Sequence, residues 1–86
     1  MATRRERRTS LEVIASILDA CQYGTRKTNV MYQCKLSFKQ LAGYLDLLLE
    51  TNLLLSDNDR QYSLFRVSSK GKDFLKAYNS MKTLME

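Results

Sequence analysis

Thr28-Asn29-Val30-Met31-Tyr32-Gln33-Cys34-Lys35-Leu36-Ser37-Phe38-Lys39-Gln40-Leu41 reads as a short helix, a tight turn and the capped start of a longer helix. Ser37 is a suitable N-cap, and Gln40, three residues on, can reach back to complete a capping box. Val30, Met31 and Cys34 before the turn, with Leu41, Leu45 and Leu48 after it, recur at helical spacing and are expected to pack together. Between these apolar anchors lie Lys35, Ser37, Lys39, Gln40 and Gly43, all polar or small. The layout is that of a helix-turn-helix whose second helix offers its first turns to a DNA groove.

Upstream, Thr9 and Glu12 form a second capping box and open a helix of roughly Ser10 to Gln22. Its apolar face is Leu11, Ile14, Ile17, Leu18 and Cys21. Gly24 can close it in the left-handed conformation, and Thr25 can cap the short helix that runs to about Cys34. Downstream, the long helix from Phe38 is expected to end near Thr51, with Asn52 taking a positive φ. The leucines after Tyr44 are read as core. Leu53-Leu54-Leu55-Ser56 suits a strand, Asp57-Asn58-Asp59-Arg60 a polar turn, and Gln61 to Val67 a second strand, giving a hairpin. The uncharged face carrying Phe65 and Val67 is expected inward.

Ser68 or Ser69 caps a last helix from about Lys70 to Leu84. Its stripe of Phe74, Tyr78, Met81 and Met85 follows 4-3-4 spacing. At ~16 residues this helix reaches ~24 Å, more than so small a domain needs to cover itself. Part of the stripe is therefore expected to face a second subunit. Helix, helix, helix, hairpin, helix is an α+β, mostly α order, that of a winged helix-turn-helix. Residues 1–8 then form a basic arm, 9–68 the winged domain and 69–86 a dimerisation element.

Eighty-six residues, 44% hydrophobic and 27% charged, suit one small globular domain. No apolar run approaches the ~20 residues that span a bilayer. Arg4, Arg5, Arg7 and Arg8 lead into an amphipathic segment rather than the apolar centre of a secretory signal, so a cytoplasmic protein is expected. Cys21 and Cys34 sit on apolar faces and are read as buried thiols, not a disulfide. The chain has no His, no Pro and three isolated Gly, which leaves no zinc site and no phosphate loop to assemble. Neither metal nor cofactor is expected, and no nucleophile–base pair suggests an enzyme or a small-molecule substrate.

The net charge of +5 is unevenly spread. Residues 1–39 hold eight Arg and Lys against Glu6, Glu12 and Asp19. Residues 40–59 hold Asp46, Glu50, Asp57 and Asp59 and no basic residue, and the chain is basic again from Arg60. A helix that starts basic and ends acidic has an oriented charge, suited to placing its N-terminal turn near phosphate.

The sequence resembles the small archaeal winged-helix DNA-binding proteins, including nucleoid-associated members that dimerise through a C-terminal helix. The stretches that carry the likeness begin with Arg8-Thr9-Ser10-Leu11-Glu12-Val13-Ile14, Lys27-Thr28-Asn29-Val30-Met31-Tyr32 and Leu36-Ser37-Phe38-Lys39-Gln40-Leu41. Tyr44-Leu45, Asn52-Leu53-Leu54 and Val67-Ser68-Ser69-Lys70-Gly71-Lys72-Asp73-Phe74-Leu75 continue it. Asn52 stands where the family usually has Gly, and the last helix is shorter than in members that form a long antiparallel coiled coil. The resemblance implies DNA binding, sequence-specific or architectural, by a transcriptional regulator or nucleoid protein.

On this reading Lys39 and Gln40 reach base edges, as Lys pairs naturally with guanine and Gln with adenine. Ser37, Gly43 and Tyr44 share the first turns. Gly43 suits a close approach by DNA or by the first helix, and Tyr44 stands open between core packing and a phosphate contact. Phe38 could stack on a sugar, but a plug between the helices is favoured. Arg26, Lys27 and Lys35 flank the short helix where phosphates would pass. Arg60 and Arg66 belong to the wing, and Arg4, Arg5, Arg7 and Arg8 add sequence-independent attraction. Double-stranded DNA and a second copy, paired through Phe74, Tyr78, Met81 and Met85, are the expected partners. The alternative is a winged-helix protein-interaction module that works through the acidic patch and the last helix.

Overall fold

A side-chain oxygen waits at the start of three of the four helices. The computed structural model describes residues 9–59 and 62–86. Helix α1 (Ser10–Ala20) and helix α3 (Phe38–Glu50) open with complete capping boxes, Thr9 with Glu12 and Ser37 with Gln40. Helix α4 (Ser69–Leu84) is capped by Ser68. Helix α2 (Lys27–Cys34) is different: its N-cap is Arg26, which supplies no side-chain acceptor. Thr25 is not the cap expected there. It lies in a two-residue strand, β1 (Thr25–Arg26), and its hydroxyl accepts from the Asn29 amide at 3.3 Å.

The strand β1 is absent from the sequence reading, because two residues carry no alternation. It pairs antiparallel with β3 (Tyr62–Val67), which in turn pairs with β2 (Leu54–Asp59), giving the order β1-β3-β2. The β2–β3 ladder runs from Leu54 opposite Val67 to Asp59 opposite Tyr62. Asp57, Asn58 and Asp59 are thus strand residues rather than a turn, since pairing to Leu64, Ser63 and Tyr62 gives their backbone groups partners. Arg4, Arg5, Arg7, Arg8 and Arg60 lie outside the described residues.

Alternation in the hairpin works as expected: Phe65 and Val67 point inward with Leu54. They meet Ile14, Ile17, Leu18 and Cys21 of the first helical segment, Val30 and Cys34 of α2, and Leu41, Leu45 and Leu48 of α3. Leu49 packs beside this core half-buried, whereas Leu47 is exposed. Helix α1 ends at Ala20, two residues before Gln22, where the Cys21 carbonyl turns away to accept from the Val67 N–H. Leu11 also departs from expectation: it is 46% exposed and lies beside Tyr78 and Met81 of α4 instead of in the core. Both cysteines are buried thiols, and burial, with Cys34 nearby, pushes Cys21 up to about 12. Such a thiol stays protonated and unreactive near neutral pH.

Helices α2 and α3 end alike. The Leu36 N–H reaches back to the Met31 carbonyl and the Lys35 N–H to Tyr32; Leu53 and Asn52 repeat this on Leu48 and Leu49. These are Schellman closures, with Lys35 (φ 55°) and Asn52 (φ 64°) in the left-handed position. The chain then enters β2, returns through β3, and Ser68 turns it into α4 against the Asn52 and Leu53 carbonyls. Phe74 and Leu75 pack against the core, while the second half of α4 runs on along α1. The arrangement is a winged helix-turn-helix of four helices and a three-stranded sheet.

Gly71 is the tightest point of that assembly. A β-carbon there would strike the Leu53 carbonyl oxygen and the Val67 side chain. Gly71→Ala is therefore expected to lower stability by about 1–3 kcal/mol, read as a lower urea midpoint at unchanged slope.

Candidate nucleic-acid interface

Helix α3 has two sharply different faces. Leu41, Leu45 and Leu48 are buried, and the opposite line of Lys39, Gly43, Asp46 and Glu50 is exposed. The line runs from a cation at the N-terminal turn, past a residue without a side chain, to two carboxylates. Among the described residues, nothing beyond its own stretch of helix lies within 4 Å of where a Gly43 β-carbon would be. Packing against α1 therefore does not explain this glycine.

The turn into α3 is rigid and polar. The Ser37 hydroxyl accepts from the Gln40 backbone N–H at 3.1 Å, and the Gln40 side-chain Oε1 accepts from the Ser37 backbone N–H at 3.0 Å. Ser37 keeps its own hydroxyl hydrogen for an outside acceptor. The capping bond takes one of the two acceptor sites of the Gln40 side-chain oxygen and leaves both of its N–H donors to an outside partner.

Lys35 holds the left-handed position of the turn and is exposed. That conformation costs a residue with a β-carbon about 1 kcal/mol or more relative to Gly. Gly43 makes the opposite choice, spending up to ~1 kcal/mol of helix propensity on an open face where Ala would fit. Both residues are exposed, and both are poor choices for stability.

Around this core of the site, Lys27 at the first position of α2 reaches its ammonium over the Phe38 ring, 4.2 Å from the centroid. Phe38 does not plug the helices: it is 62% exposed. Tyr44 is half-buried against the core. Tyr32, on the outer side of α2, is 72% exposed. Arg26 is exposed at the N-terminus of α2, where β1 ties it opposite Leu64 of the hairpin. Arg66 in the hairpin pairs with Asp57 at 3.0 Å, which offsets its charge.

The other candidate surface lies along α4. Tyr78 is half-buried, Met81 is 43% exposed and Met85 is 80% exposed. With Leu11 they line an open apolar groove between the start of α1 and the end of α4. Phe74, at the other end of the stripe, packs against the core as well. Among the described residues, no cluster of His, Cys, Asp or Glu could hold a metal ion, and no helix is long and apolar enough to cross a membrane.

A family model described as winged helix-turn-helix matches residues 7–86. A sequence search of curated proteins finds no match. Among solved structures, Sso10a-2, a DNA-binding protein from Sulfolobus solfataricus, superposes with a TM-score of 0.83 at 20% identity, over 91% of this chain and 82% of that one. MepR, a transcription regulator of the Staphylococcus aureus multidrug efflux pump MepA, gives 0.75 at 13% identity, over 98% of this chain and 64% of its own. ZitR, a zinc-responsive MarR family member from Lactococcus lactis, gives 0.64 at 27% identity, over 92% and 58%. These likenesses are likenesses of fold.

The two stability-costly residues make a direct test. Lys35→Gly and Gly43→Ala are each expected to raise stability by up to about 1 kcal/mol in chemical denaturation. A loss of stability in both would mean that the chain itself, and not an outside partner, accounts for these residues.

Proposed function

The chain belongs to the winged helix-turn-helix family, and we propose that it binds double-stranded DNA as a transcriptional regulator or nucleoid-associated protein. The observation that carries this reading is the outward line of α3, where Lys39 and the bare backbone of Gly43 stand open after a turn that the left-handed Lys35 closes, at some expense in stability. Such an expense suits a surface selected for contact rather than for folding. The DNA-binding description of Sso10a-2 and the regulatory one of MepR support the same reading.

In this mode the first turns of α3 enter the major groove. Lys39 reaches a guanine edge or a phosphate, and Gln40 donates to purine acceptors through its amide nitrogen. Gly43 lets the groove wall approach, and the Ser37 and Tyr44 hydroxyls donate to phosphate. Lys27 and Lys35, with Arg26, follow the backbone beside α2, whose N-terminal dipole favours anions. Asp46 and Glu50, farther along α3, stay clear of the phosphates. Arg66 contributes less than its charge suggests because Asp57 holds it. Arg60 and the four arginines of the arm add general attraction. Two copies joined through Tyr78, Met81 and Met85, with Phe74 bracing the helix, would present two such surfaces to one duplex.

Mobility shift at several salt concentrations tests the DNA reading. The binding constant should fall steeply with salt, and Lys35→Ala and Lys39→Ala should each flatten the log–log slope by about one. Arg66→Ala should change it less. Absence of any shift at low salt would favour the protein-interaction module, working through Asp46, Glu50, Asp57 and Asp59 and the α4 stripe. Light scattering tests the dimer: twice the 10.0 kDa chain mass is expected, falling to one chain in Met81→Glu. A wild-type mass of one chain would rule the pairing out.

A further inference from the structure

Phe38 is the residue of the interface that its own fold explains least. It is the first residue of α3, and it is not part of the buried core. An aromatic side chain left 62% exposed forgoes most of the burial that makes such residues useful inside a protein. Two features nevertheless hold it in place. The capping box on either side fixes its backbone, and the Lys27 ammonium lies over the ring at 4.2 Å. A ring with two side-chain torsions, already held, loses little freedom when something docks on it.

The ring offers an apolar contact and the Lys27 ammonium over it offers a cation, so the pair suits an apolar group with negative charge close by. The major groove displays one apolar group, the C5-methyl of thymine, with phosphates on either side. We propose that Phe38 reads thymine through that methyl group while Lys27 contacts the neighbouring phosphate. The proposal rests on the DNA-binding reading and gives it a base preference that Lys39 and Gln40 do not supply, since both recognise polar edges. It also accounts for a large apolar side chain at a helix start that leads into solvent.

Duplexes of alternating dA·dT and alternating dA·dU isolate the contact, because their major-groove hydrogen-bonding edges match and the methyl is removed. The wild-type chain should bind the dU duplex about fourfold more weakly, the factor that corresponds to ~0.8 kcal/mol for one buried methyl. Phe38→Ala should weaken binding to dA·dT and bring the two duplexes together, and Phe38→Leu should restore part of the difference. Placing the methyl on cytosine in alternating dG·dC should tighten wild-type binding and leave Phe38→Ala unchanged. Circular dichroism of the variants checks that α3 is retained. Equal wild-type affinity for dA·dT and dA·dU, or a preference that survives in Phe38→Ala, overturns the proposal while leaving DNA binding in place. If neither duplex is bound at low salt, the DNA reading falls and the proposal with it.

Discussion

The Ser68 hydroxyl shares its hydrogen between the carbonyl oxygens of Asn52, at 2.6 Å, and Leu53, at 3.1 Å, and accepts from the Gly71 N–H at 2.9 Å. The Ser68 N–H adds a bond to Leu53 at 3.0 Å, and the Lys70 ammonium reaches the Thr51 carbonyl at 2.7 Å. One short segment thus satisfies the carbonyls of the three residues that follow α3 and, at Gly71, one of the first N–H groups of α4, which a helix cannot pair within itself. The hairpin is the loop closed by this junction, and Gly71 lets the two ends come close enough to close it. Placement of the wing beside α3, and of α4 beside α1, both follow from that contact.

Much of this was readable in the residues, and the reasons are local. Thr9 with Glu12 and Ser37 with Gln40 announce helix starts because a capping box needs only residue types at a fixed spacing. Asn52 marked the end of α3 because few side chains tolerate a positive φ. The inward face of β3 followed from the position of its charge. What could not be read depends on partners distant in sequence. Thr25 and Arg26 become a strand only because β3 runs beside them, and Asp57 to Asp59 extend β2 for the same reason. Phe38 and Leu11 were placed inward by apolarity alone. Each lies at the edge of its helix pattern, where three-dimensional neighbours decide, and each faces outward. Lys35 was legible as a cation but not as a left-handed residue, because nothing in its neighbours requires it to close α2.

The candidate interface combines two kinds of organisation. Its backbone is fixed by caps and Schellman closures that would serve any helical turn. Its side chains and the one missing side chain depart from what those closures favour. Lys35 sits where Gly would relax the chain, Gly43 where Ala would strengthen it, and Phe38 where a polar residue would be soluble. A rigid frame carrying locally unfavourable residues concentrates the departures within three adjacent turns, while Leu41, Leu45 and Leu48 anchor the same helix from behind.

The order of the sheet gives the acidic residues of the hairpin another meaning. With β3 in the centre, β2 is an edge strand of six residues, and a strand of that length offers a row of backbone groups to any other chain. Asp57 is exposed along it. Two such strands brought edge to edge would carry this carboxylate with them, and charge on an edge strand opposes pairing into aggregates. The carboxylate that offsets Arg66 within the wing therefore also marks the open edge of the sheet.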